Sequence, residues 1–231
     1  MFSNEPKEVK ALVKNRAKEI LQILRNNFSL PSRPRTSRDL FQTLIRTVLS
    51  QATADKNAHR AFRNLSIRFP ITPKALAEGD VKEIEKAIMV AGLYRNKSKV
   101  IKTLSCIVLE DFNGSMDFVY SMSFEEARKI LLHFPGVGPK TADVVLLFCT
   151  DKPTIPIDTH VNRVSKRLGL VPPNASYETT RQTLQSLYTP KDYLPVHLLL
   201  ISLGRKYCRA RKPLCKLCPI HELCPTGQIE N

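Results

Sequence analysis

The sequence predicts an all-α protein. Three observations carry that expectation: apolar residues recur at three- and four-residue steps from one end to the other, strand-period alternation is scarce, and helix starts and stops are marked by short polar caps and glycines. About ten helices joined by short turns are expected from this pattern, with no internal repeat and no low-complexity segment.

The first helix carries the stripe Val9, Leu12, Val13, Ala17, Ile20, Leu21 and Leu24. A polar, proline-bearing link from Leu30 to Thr36 separates it from a second helix, expected to start near Ser37 and to bear Leu40, Phe41, Leu44, Ile45, Val48 and Leu49. Further starts are read at Asp80 with Glu83 and at Ser123 with Glu126, both spaced as capping boxes in which a short side chain and a glutamate satisfy free backbone N–H groups. Gly92 and Gly169 follow apolar runs where a left-handed C-terminal cap is expected.

Lys and Arg outnumber Asp and Glu by 36 to 21 in 231 residues, a net charge of +15 that favours nucleic acid or an anionic membrane surface as partner. Apolar runs long enough to cross a membrane, about 18 residues or more, are missing, and the segment from Met1 to Pro6 lacks the pattern of a secretory signal. The expectation is an intracellular protein, cytoplasmic and nucleoid-associated if the source is prokaryotic.

Reduced cytosolic thiols make disulfides a poor explanation for six cysteines. Cys106 and Cys149 lie in apolar helical runs and read as small core residues. The other four are grouped as Cys208-x6-Cys215-x2-Cys218-x5-Cys224, within a tail where Arg205, Lys206, Arg209, Arg211, Lys212 and Lys216 occur with no acid between them. Zinc is usually held by two close pairs, and only one such pair exists here; the uneven run fits a [4Fe-4S] cluster better. His221 is a further potential ligand.

The segment Leu131 to Asp143 ends one helix, turns at Gly136-Val137-Gly138 and restarts at Pro139, a residue suited to the first helical position. That is a helix-hairpin-helix. Its glycines admit close approach, and the free N–H groups of the second helix can hold an anion such as a DNA phosphate. Lys140 stands on the unfavourable end of the helix dipole, where the dipole and partial burial favour the neutral, nucleophilic amine. Eighteen residues on, Asp158 heads another helix behind Pro153 and Pro156, as a cap, a fixed carboxylate, or both.

Six motifs in order resemble the endonuclease III branch of the helix-hairpin-helix DNA glycosylases: Leu49-Ser50-Gln51-Ala52-Thr53, Gly92-Leu93-Tyr94, the Phe134 to Ala142 hairpin, Ile157-Asp158-Thr159-His160, Gly204-Arg205-Lys206-Tyr207-Cys208, and the cysteine spacing. The resemblance spans nearly the whole chain. It implies an all-α, two-lobed fold, with a six-helix barrel and hairpin in residues 37–150 and a cluster domain built from 1–36 and 151–231. It also implies a [4Fe-4S] cluster on Cys208, Cys215, Cys218 and Cys224, and duplex DNA with damaged bases or abasic sites as partner of a monomeric enzyme.

By the same resemblance, Lys140 is the nucleophile that forms a Schiff base, and Asp158 stabilises the cationic sugar or accepts protons. Gln51 and Leu93 fill the gap left by a flipped nucleotide, while Gly136, Val137, Gly138, His160, Arg205 and Lys212 contact DNA. Relatives that remove adenine lack the lysine, so Lys140 implies a bifunctional glycosylase/AP lyase acting on oxidised pyrimidines. Pro139 departs from the basic residue many members carry. The alternatives are a mismatch-directed uracil or thymine glycosylase and a non-catalytic DNA-binding protein with a structural cluster.

Overall fold

The computed structural model describes residues 7–30, 39–150 and 152–229. Most of the proline-bearing link, Ser37 and the segment Met1 to Pro6 lie outside them. Thirteen α-helices and four short 3-10 turns, with no strand, form the described residues. The excess over ten comes from helices of four to six residues, too short to print a periodic pattern.

Packing divides the chain into two compact units, residues 35–152 on one side and 1–34 with 153–231 on the other. The chain enters the second of these through α1 (Lys7–Asn27), whose Ala17, Ile20, Leu21 and Leu24 are buried, whereas Val9 and Leu12 are exposed. Only the C-terminal part of the predicted stripe is used as core.

The 35–152 unit holds α2 (Leu40–Ser50), α3 (Asp55–Arg68), α4 (Pro73–Glu78), α5 (Val81–Ile88), α6 (Tyr94–Asp111), α7 (Phe118–Ser121), α8 (Phe124–His133) and α9 (Pro139–Cys149). Six of these have eight residues or more. Their facing sides make one core from Leu44, Leu49, Leu65, Ile84, Ile101, Leu104, Leu131 and Leu146 among others. Asp39 caps α2, its Oδ1 accepting from Gln42 N–H at 3.0 Å, so this helix starts after Asp39 rather than near Ser37. Ser123 and Glu126 form the predicted capping box on α8. Asp80 caps α5 by accepting from Lys82 N–H, but Glu83 pairs with Arg68 and Lys86 instead of reaching back, so the box is half made.

In the other unit α1 and α10 (Thr159–Arg167) each pack on α11 (Tyr177–Leu187) and α12 (Tyr193–Lys206), and the last described helix is α13 (Pro225–Ile229). Gly169 (φ +62) ends α10 as expected: its N–H donates to Lys166 and that of Leu170 to Ser165, the paired bonds of a left-handed helix stop. Gly92 has positive φ but an extended ψ, so it turns the chain without closing such a cap. Cys149 is buried and Cys106 half-buried. No described helix is long and apolar enough to cross a membrane.

Candidate functional site

The hairpin is built as predicted. Helix α8 stops at His133, Val137 N–H donates to Phe134 C=O at 3.1 Å, and α9 begins at Pro139 with Gly138 as its cap. A buried ion pair braces the two helices, Arg128 Nε to Asp143 Oδ1 at 2.7 Å, with the Asp143 side chain fully enclosed. The two glycines differ. Gly136 has φ +72 and a Cβ there would sit 2.7 Å from Val100, whereas a Cβ on Gly138 would meet nothing within 4 Å. Gly136 is required by the fold; Gly138 leaves an open face. The Val137 side chain is buried and its N–H is already used, so of the three turn residues it has the least to offer a phosphate.

Lys140 is half-buried in the first turn of α9. The next residue, Thr141, accepts through Oγ1 from Gln51 Nε2 at 3.2 Å, and the same amide donates to Gly136 C=O at 2.9 Å. Gln51, in the α2–α3 turn, is thereby anchored on the hairpin. Leu93 lies in the same unit, 63% exposed and in the left-handed region (φ 47, ψ 26), where a leucine is strained. An apolar side chain held in water by a strained backbone is unexplained by packing.

In the other unit Asp158 does cap α10: its Oδ1 accepts from Val161 N–H at 2.7 Å, which leaves Oδ2 for another role. His160 is wedged where α10 crosses α12; its Nδ1 lies 3.1 Å from Arg163 Nη2, and a Cβ on Gly204 would come within 2.9 Å of it. Gly204 is glycine because His160 needs the space.

All four clustered cysteines, with His221, line one pocket between α10, α12 and the C-terminal loop. Among the described residues no three His, Cys, Asp or Glu side chains form a group suited to a single metal ion. The donor set nonetheless fits an iron–sulfur centre: four thiols, with Gly227 N–H aimed at Cys224 Sγ (3.3 Å) and Arg167 Nη1 at Cys208 Sγ (3.5 Å). Burial, reinforced by the neighbouring Cys224, Cys208 and Cys215, pushes the Cys218 thiol up to about 11, against the N–H of Ile220, so metal must displace a proton there. His221 Nδ1 is buried without a hydrogen bond. The six basic residues from Arg205 to Lys216 are all exposed.

Two positioning residues escaped the sequence reading. Arg163 donates through Nε to Cys208 C=O at 2.9 Å and through Nη2 to Gly204 C=O at 3.1 Å. Arg167 donates to the carbonyls of Arg209 (2.6 Å) and Ala210 (3.2 Å). Together they fix the entry to the cysteine loop. The sole signal was an i, i+4 arginine pair on α10, of which Arg167, in the last turn, reads equally as favourable charge on a helix dipole.

A glycine-turned hairpin with a lysine in its second helix, in an all-α chain that also carries a four-cysteine loop, defines a class. The family model of HhH-GPD superfamily base excision DNA repair proteins matches residues 45–190. The Endonuclease III of Sulfolobus acidocaldarius is 36% identical over 189 residues, 81% of this chain and 82% of that one. A solved non-covalent Endonuclease III–DNA complex matches with a TM-score of 0.82 and 31% identity over 94% of this chain and 97% of that one. A trapped Endonuclease III–DNA covalent intermediate gives 0.81 and 31% over 94% and 98%. The chain belongs to the endonuclease III family of this superfamily.

Proposed function

We propose that the chain is a bifunctional DNA glycosylase/AP lyase of base excision repair that removes oxidised pyrimidines from duplex DNA through Lys140. The observation that carries this reading is a half-buried lysine in the first turn of α9, beside a glycine turn whose outer face is open. Family membership supports it, as does the solved covalent DNA intermediate of a relative that is 31% identical.

The neutral Lys140 amine attacks the anomeric carbon of the flipped nucleoside, a C–N bond to the enzyme forms, and the bond to the base breaks with its electron pair leaving on the base. Ring opening gives a Schiff base. Loss of a proton from C2′ then expels the 3′-oxygen, cutting the strand, and water returns the lysine. Asp158 stabilises the cationic sugar or accepts protons in this sequence. Flipping costs roughly a few kcal/mol of lost stacking, and Gln51 and Leu93 fill the gap. Gly136 and Gly138 offer backbone to phosphate, with Val137, His160, Arg205 and Lys212 as further proposed contacts.

Cys208, Cys215, Cys218 and Cys224 are the proposed ligands of a [4Fe-4S] cluster. It supplies shape rather than electrons, since base removal and elimination transfer none. Residues 37–150 serve as the barrel and hairpin domain, and 1–36 with 151–231 as the cluster domain. A substrate in genomic DNA puts the enzyme inside the cell, with the nucleoid in a prokaryote.

The test is borohydride trapping on duplexes carrying thymine glycol, uracil, mispaired thymine or an abasic site. Wild type is expected to trap on the oxidised pyrimidine and the abasic site. Lys140→Ala should lose trapping but keep DNA binding, and Asp158→Asn should slow excision more than cleavage of preformed abasic sites. Trapping that survives in Lys140→Ala assigns the nucleophile elsewhere.

A further inference from the structure

Lys97 is 5% exposed, an unusual place for an ammonium group, and the mechanism above does not use it. It stands in the first turn of α6, and its three N–H bonds meet three acceptors: Leu49 C=O at 2.9 Å, Thr53 Oγ1 at 2.6 Å and Ala91 C=O at 3.1 Å. Every donor is satisfied, which is the condition for tolerating a buried charge. Burial also lowers the affinity of this amine for its proton.

The acceptors come from the stretches that lead into, or lie in, two separate loops. Leu49 and Thr53 bracket Gln51 at the end of α2, and Ala91 lies two residues before Leu93. The single proton of the Thr53 hydroxyl can go to Gln51 C=O, 3.0 Å away, or to Ala91 C=O, so Lys97 joins the two loops and Thr53 adds to the link when it donates across to Ala91. Both loops are strained: Ala52 has φ 48 and Leu93 φ 47, outside the region open to most L residues. Strained conformations persist only where the surroundings over-determine them.

We infer that Lys97 is a positioning residue that clamps the Gln51 and Leu93 loops to each other, so that the two gap-filling side chains enter DNA as one rigid unit. It touches neither the reacting sugar nor, in this role, the DNA. The inference rests on the proposed gap-filling function of Gln51 and Leu93, and it assigns to the clamp the step at which a stacked base is exchanged for protein.

The experiment compares wild type, Lys97→Met and Thr53→Val on two duplexes, one with an oxidised pyrimidine still stacked and one with a preformed abasic site, where there is less to unstack. Methionine keeps the length and apolar packing of the lysine stem but not its bonds, and valine keeps the volume of threonine. Both variants are expected to lose excision of the stacked base by on the order of 100-fold, the scale at which ångström misplacement acts. Cleavage at the abasic site should fall far less, and 2-aminopurine beside the lesion should no longer report unstacking.

An equal loss on both substrates in a variant with a wild-type melting curve makes Lys97 merely structural and overturns the clamp, as does unchanged excision. If Lys97→Met fails to fold, Thr53→Val decides by the same comparison. A wild-type enzyme that never traps on any lesion or abasic site sinks the proposed function itself, a different result from wild-type trapping with no discrimination by the variants.

Discussion

Gly136 and Gly138 sit two residues apart in one turn and are glycine for different reasons. Alanine at 136 is forced into positive φ and against Val100, so Gly136→Ala should destabilise by about 2–4 kcal/mol, combining the cost of a left-handed L residue with that of overpacking. Gly138→Ala meets open space at φ −91 and should leave the urea midpoint close to wild type. Its methyl would instead stand where the proposed function brings a phosphate to the backbone, so duplex affinity should drop. The reverse pattern, a stability loss at 138 and none at 136, would contradict this division.

At the scale of the element, α10 joins two functions along its length. Asp158 caps its start, while Arg163 and Arg167 hold the entry to the cysteine loop. Hydrogen bonds from a charged group contribute about 1.5–3 kcal/mol each, so Arg167→Ala, which loses those to Arg209 and Ala210, should loosen the loop by at least one such increment. Faster bleaching by chelator of the visible absorbance of the proposed cluster, with wild-type far-UV circular dichroism, is the expected readout.

The start of α8 has a pH dependence of its own. The Ser123 hydroxyl, then the Ser123 N–H, hold the Glu126 carboxyl below its ordinary value of 4.5, outweighing slight burial. A carboxylate depressed in the folded state contributes stability that is complete above 4.5 and lost as pH falls through the folded value. Amide protection at Ser123 and Glu126 should therefore fade in acid below that point, and Glu126→Gln should abolish the dependence.

For the whole molecule the governing quantity is the net charge of +15, with six exposed basic residues between Arg205 and Lys216. Neutralising phosphates releases counterions, so the logarithm of duplex affinity should fall linearly with the logarithm of salt. Lys212→Gln should reduce the slope by about one if this lysine contacts a phosphate. A flat salt dependence would remove the basic tail from the interface.

The sequence by itself determined the all-α class, the hairpin and its lysine, the cap at Asp158 and the cysteine loop, because caps, glycine turns, periodicity and cysteine spacing are local properties written within a few residues. Only the tertiary structure decided what those elements are fastened to. Lys97 reads as an ordinary helix-surface lysine until packing brings Leu49 and Thr53, 48 and 44 residues away, onto its amine. Arg163 is one more arginine within a short helix until Cys208, 45 residues on, presents its carbonyl. Val9 and Leu12 share a stripe with Ala17 and Ile20 yet remain exposed, since burial depends on a facing helix and not on the stripe. Partners so distant in sequence are chosen by shape and desolvation in the packed core, which no window of sequence contains.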